Sequence, residues 1–292
     1  MFQQLLAVIA PIIICAGLGF AWARRDLDYP VAFVTRAVMN IGAPCLIIAS
    51  FSQADIDVGR LGMVAGAALL AMLLMLPAGL FLIRTLRLET STFLPSLLFP
   101  NIGNMGLPLC FFAFGDTGLA LGLTVFLVVF TLQMSLGIMM VAGKGSLWEL
   151  SRQPVLWATA LAVSMVLGDW SLPAWLANTT DLLGGFTIPL MLITLGVSLE
   201  DLKVEQWQHS LWFSALRVLG GFVLGILVAK IFGLEGAERG VVILQSSMPV
   251  AVFNYLLAMK YNREPGEVAG MVVMSTMLGF VLLPFIVAYV LS

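Results

Sequence analysis

The chain has 292 residues, 61% of them hydrophobic and 10% charged, with a mean hydropathy of +1.05 and a net charge of -2. A soluble domain carries about 25% charged residues, so this composition excludes an ordinary water-soluble globule and places the chain in a bilayer. The balance of 14 basic against 16 acidic side chains, with no basic face, excludes nucleic acid as a partner.

About 20 apolar residues cross a hydrocarbon core. On that length the sequence predicts ten spans, at 3–22, 31–51, 61–83, 91–112, 117–142, 154–168, 173–198, 210–232, 238–259 and 267–291. The first run ends in "AWA" (21–23), which resembles a cleavage site. No Lys or Arg precedes it and Arg24-Arg25 follow, the reverse of a signal peptide, so a retained first span is expected. The second and seventh spans carry Pro44 and Pro189 in "APCLIIASFSQADI" (43–56) and "IPLMLITLGVSLEDL" (188–202), where each proline reads as a kink. The fourth span holds "FPNIGNMGLPL" (99–109), and the ninth holds "QSSMPVAVFNY" (245–255) around Pro249. The sixth is short, bounded by "SRQP" (151–154) and "GDW" (168–170).

With the N-terminus outside, nine basic residues fall in inner loops: Arg24, Arg25, Arg84, Arg87, Lys144, Arg152, Lys203, Lys260 and Arg263. Three fall outside: Arg60, Lys230 and Arg239. This is the direction of the positive-inside rule, so both termini are expected outside a cytoplasmic (inner) membrane. Ten spans divide into halves at 1–145 and 146–292. Pro44 and Pro189 stand 145 residues apart, as do Thr131 and Thr276 in spans five and ten. An odd number of spans per half places the halves in opposite orientations, the inverted repeat of many secondary transporters. The expected fold is all-α, with ten transmembrane helices in two inverted five-helix repeats.

Interrupted segments at corresponding places in two halves point to a substrate site. A broken helix survives in lipid only where protein, water or ligand satisfies the freed backbone. Pro108 lacks an N–H, Gly103 and Gly106 permit close backbone approach, and Asn101 and Asn104 supply donors and acceptors. A break also creates new helix N-termini, each with roughly +0.5 charge and open N–H groups, which suit an anion without a Lys. Ser246, Ser247 and Asn254 flank the break at Pro249; they read as ligand contacts, or as bonds between neighbouring helices.

Two polar positions keep two readings each. Arg217 in "FSALRVLGG" is either functional, as intramembrane charges are by default, or snorkels to the inner interface, as Arg36 does. Asp181 in "NTTDLLGG" carries a coupling ion or sits in outer interfacial water. Cys15, Cys45 and Cys110 lie in apolar runs without disulfide or metal spacing, and His209 is the only histidine; neither metal nor cofactor is expected. "FGDTG" (114–118) suggests a membrane aspartyl protease, but spans six and seven offer no convincing second Asp except Asp181, and HExxH, GxSxG and GxxxxGK[ST] are absent. The chain reads as a non-enzyme.

At these residues the chain resembles the auxin efflux carrier family, which includes the plant PIN-formed transporters and many bacterial relatives. "FPNIGNMGLPLC" is similar to the plant proteins' fourth span, "LPNTLVMGIPLL". "MPVAVFNYLLAMKYNREP" (248–265) aligns without a gap to their "LPQGIVPFVFAKEYNVHP", and "TIPLMLITLGVSL" (187–199) resembles the bacterial seventh span. The resemblance implies a fold like that of bile-acid transporters and sodium–proton antiporters, in which spans 4 and 9 unwind and cross. Spans 1, 2, 6 and 7 then form a scaffold, usually homodimeric, and spans 3–5 and 8–10 a moving elevator unit. Carried over, Asn101 lines the binding site, Gln133 is a polar glutamine of span five, and Pro249 is the crossover proline. Asn254 replaces the plant motif's second proline and Val250 its glutamine. The expected function is secondary transport of a small organic anion, a carboxylate, by alternating access. A proton- or sodium-coupled symporter of another solute, and a non-transporting sensor or channel, are the alternatives.

Overall fold

The computed structural model of the chain describes residues 2–53, 57–143, 151–168, 170–202 and 207–292. Lys144 and Lys203, two of the nine inner-loop charges, lie outside the described residues, as does the boundary between the halves at 145 and 146. The described residues are helical throughout, apart from turns, connecting loops and one isolated β-bridge. Seven helical stretches among them are long and apolar enough to cross a membrane, and an eighth, Pro154–Gly168, is apolar but shorter. The protein is an all-α multi-pass membrane protein.

In chain order the helices are α1 (Phe2–Ala23), α2 (Val31–Gln53), α3 (Val58–Leu86), α4 (Thr90–Leu98), α5 (Ile102–Ala142), α6 (Pro154–Gly168), α7 (Ala174–Gly185), α8 (Thr187–Asp201), α9 (Trp207–Ile231), α10 (Gly236–Ser246), α11 (Val252–Tyr261) and α12 (Pro265–Leu291). At 41 residues, α5 is about twice the length one crossing needs. It bends at Gly115, whose φ of 63° and ψ of -150° lie outside the helical region, in the sequence gap between the fourth and fifth predicted spans. A positive φ favours glycine. Pro44 lies two residues beyond a π-helical turn at Val38–Gly42 in α2. Pro189 lies three residues beyond Phe186, where α7 gives way to α8. In both places the backbone adjusts where proline withholds its N–H.

The helices pack in two groups. α1, α2 and α6–α8 close on one another through glycine. A Cβ at Gly19 would stand 2.0 Å from the Ile193 carbonyl oxygen, and one at Gly196 would stand 1.9 Å from that of Ala16. So α1 and α8 touch backbone to backbone, the close approach small residues permit between membrane helices. α3–α5 and α9–α12 form the second group. Trp22, Trp157, Trp207 and Trp212 are exposed at one set of helix ends, and Trp170 and Trp175 at the other, as expected where indole rings sit at a membrane–water interface.

Candidate functional site

α4 and α10 both stop in the interior, and their chains cross before the helix resumes as α5 and α11. At the crossing, Asn101 N–H donates to the Pro249 carbonyl at 2.7 Å, and Ala251 N–H donates to that of Phe99 at 3.3 Å. Pro100 and Val250 thereby form an antiparallel bridge. The remaining amide at the crossing, Val250 N–H, donates to Ser275 Oγ at 2.9 Å. The prolines explain the arrangement. Pro100 and Pro249 have no N–H to give, and their neighbours' N–H groups pair across the crossing instead of along a helix.

The crossing sorts helix ends by polarity. The carboxyl ends of α4 and α10 meet at Arg217, which is 4% exposed. Its Nη1 donates to the Leu97 carbonyl at 2.5 Å and its Nη2 to the Ser246 carbonyl. One guanidinium thus caps two negative helix ends, the charge a C-terminus favours. Ala68 and Ala71 of α3 border the same small void of about 20 Å³ beside the guanidinium, together with Gln245 and Ser246.

The amino ends of α5 and α11 point the other way, into a cavity of about 510 Å³. Its polar lining is Thr35, Asn101, Asn104, Gln133, Gln153, Thr194, Ser198 and Tyr255, and among the described residues no Asp, Glu, Lys, Arg or His borders it. The first-turn N–H groups of a helix have no intrahelical partner; here they belong to Gly103 and Asn104 of α5 and to Val252 and Phe253 of α11, all of which line the cavity. Asn101 is 4% exposed, and its Nδ2 is buried without a hydrogen-bond partner. A buried donor left unmade costs about 1–3 kcal/mol. Phe126 and Phe130, stacked with centroids 5.4 Å apart, form one apolar wall, with Met39, Met191 and Phe253 among the others.

The structure brings Asn101, Gly103, Asn104 and Gln133 together on the cavity. The other sequence candidates stand behind it. Asn254 donates through Nδ2 to the Phe99 carbonyl at 3.0 Å and accepts from Gln133 Nε2 at 2.9 Å, a chain that fixes the end of α4. Pro249 supplies the carbonyl that Asn101 N–H bonds. Gly106 admits the Gln245 side chain, Pro108 is buried in the first turn of the α-helical part of α5, and Ser247 Oγ donates to the Ile243 carbonyl at 2.6 Å. Ser246 borders the void at Arg217. Asp181 is not brought to the cavity; it accepts from exposed Gln53 at 3.4 Å. Arg217 does not snorkel, because both of its Nη groups are held inside. Sequence reasoning missed Thr35, Thr194, Ser198 and Gln245. The first three come from α2 and α8, and the spacing of Met191, Thr194 and Ser198 along one helical face was the available signal.

The cavity lies in a seam between the two helix groups, where α1, α2 and α8 pack against α5, and α1 also against α12. Setting aside Ser151, Arg152, Gln153, Ser210 and Glu267, every side-chain hydrogen bond and ion pair among the described residues stays within one group. Tyr29–Thr194 (2.8 Å) and Gln53–Asp181 belong to the first. Arg60–Glu238 and Arg263–Glu89, each 3.0 Å, belong to the second, as do all contacts at the crossing.

Residues 143–287 match the family described as membrane transport protein. The chain is 28% identical over 275 residues to an uncharacterized transporter of Methanothermobacter thermautotrophicus, covering 86% of each. It is 23% identical over 189 residues to an uncharacterized transporter of Methanocaldococcus jannaschii, covering 60% of each.

Proposed function

We propose that the chain is a membrane transport protein of the auxin efflux carrier family, a reading that its match over residues 143–287 and its likeness to the Methanothermobacter transporter support, and that it is a secondary transporter of small organic anions, with a carboxylate bound at the crossover. The observation that carries the reading is the convergence of two helix N-termini and of Asn101 on a cavity that, among the described residues, no charged side chain lines. Open N–H groups and the positive ends of helix dipoles hold an anion. They hold it without a permanent countercharge, which would demand its own partner when the site empties.

In this proposal the chain crosses a cytoplasmic membrane ten times, in two inverted halves with both termini outside. α1, α2 and α6–α8 are the scaffold, through which two copies pair. α3–α5 and α9–α12 move as one unit along the seam, where Tyr29–Thr194, Gln53–Asp181, Arg60–Glu238 and Arg263–Glu89 each stay on one side. Binding exposes the cavity to one side at a time.

Thermal unfolding of the purified protein against a panel of carboxylates and their uncharged amides tests the anion site. A matching acid at 100 times its Kd should stabilise by about 2.7 kcal/mol, and its amide should not. Equal stabilisation by acid and amide overturns the anion site. Flux of a stabilising acid in proteoliposomes under potassium-diffusion potentials then tests coupling. An uncoupled monoanion should be exported by an inside-negative potential, worth about 2.3 kcal/mol per 100 mV. Flux that ignores the potential favours the coupled symporter.

A further inference from the structure

We propose that Arg217 is the charge-balancing residue of the transport cycle, making the anion-loaded unit electrically neutral and the empty unit singly positive. The inference rests on the moving-unit reading above.

Among the described residues, two charged side chains are buried, Arg217 and Glu267. Glu267 lies in the first turn of α12 beside half-buried His209, at a helix end. Arg217 lies within the span, inside a π-helical turn at Leu216–Gly220. A guanidinium stays protonated in a protein, so this charge is permanent. It is fixed to the carbonyl of Leu97, four residues before Asn101, and to that of Ser246, five residues before Ala251. The substrate site and the cation are therefore two faces of one crossing. Whatever displacement carries the site through the membrane carries Arg217 through nearly the same part of the field.

A bound monoanion brings one negative charge to a unit that already holds one positive charge at the same depth. The loaded step then moves no net charge. The empty unit returns with its positive charge uncompensated, and all the voltage dependence of the cycle falls on that return. An inside-negative potential still drives net export, because it draws the empty, positive unit inward. One charge crossing the full field biases a two-state equilibrium about 50-fold per 100 mV.

The test needs no substrate. Patches of the reconstituted protein, with chloride as the only anion, are stepped in voltage and the transient charge displacement is recorded. The motion is followed separately by spin labels placed through Phe81→Cys and Leu182→Cys, lipid-exposed positions on the moving and fixed groups, in a Cys15→Ser/Cys45→Ser background. The wild type should show two label distances and a saturating charge displacement, kept by Arg217→Lys and lost by Arg217→Gln. Two distances without charge displacement in the wild type overturn the inference and leave the moving unit standing. A displacement that survives in Arg217→Gln overturns it as well. A single distance overturns the moving-unit reading and this inference with it. If Arg217→Gln does not fold, the wild-type recording decides.

Discussion

The two faces of the crossover answer the same problem in opposite ways. Each receives two helix ends that a membrane interior cannot leave bare. On the carboxyl-end face the partner is part of the chain: Arg217 donates hydrogen bonds to the Leu97 and Ser246 carbonyls. On the amino-end face the first turns of α5 and α11, at Gly103, Asn104, Val252 and Phe253, line a cavity together with Asn101. On the proposed reading, the constant need is met by the chain and the intermittent one by the transported anion. Stability should therefore concentrate on one face and affinity on the other.

Arg217→Met is the strongest way to break that contrast. It strips two buried helix-end carbonyls, at about 1–3 kcal/mol each, for a loss of about 2–6 kcal/mol. The melting temperature in detergent should fall steeply; a change within error would show that Arg217 holds nothing together.

Glycines on the two faces sharpen the comparison. A Cβ at Gly221 would meet the Ser246 carbonyl oxygen at 2.0 Å and Arg217 Nη2 at 2.6 Å, whereas at Gly103 the nearest atoms are Phe126 and Met191 carbons at 3.4 and 3.5 Å. Gly221→Ala should cost about 1–3 kcal/mol of stability, the usual range for overpacking. Gly103→Ala should leave the melting temperature nearly unchanged. Equal costs would remove the distinction between the faces.

The smallest change to the fold is expected from Asn101→Ala. It deletes a buried donor that has no partner, so unfolding should shift little or upward. Affinity for a stabilising carboxylate, read by ligand-induced thermal shift, should fall by about 1–2 kcal/mol with the lost hydrogen bond. A collapse in stability without a change in affinity would make Asn101 a packing residue.

Proline and glycine made the backbone events legible. "FPNIGNMGLPL" and "QSSMPVAVFNY" mark the two interruptions, Pro44 and Pro189 sit next to the bends in α2 and at the α7–α8 junction, and Gly115 sits where one apolar run becomes two. Each of these is dictated locally, by a missing N–H or a positive φ. What each side chain faces was not legible. Ser246 and Asn101 both flank a break, yet Ser246 borders the Arg217 void and Asn101 the cavity, because the crossing separates carboxyl from amino ends. Arg217 finds its partners 120 and 29 residues away, a convergence that no local pattern encodes. The walls from α2 and α8 are set by how two helix groups meet, which periodicity suggests only as a face.

Beside its polar side chains the cavity is lined by Gly103, Asn104, Val252 and Phe253, whose first-turn N–H groups have no partner along the helix, and a codon change cannot delete a main-chain N–H unless it installs proline. In the proposed anion site that share of the recognition is shielded from mutation, while Phe126, Phe130 and Met191 around it are free to drift. On that reading, lineages carrying this crossing and selected for a new cargo should exchange wall residues and diversify the body of the molecule they accept while keeping its acidic group.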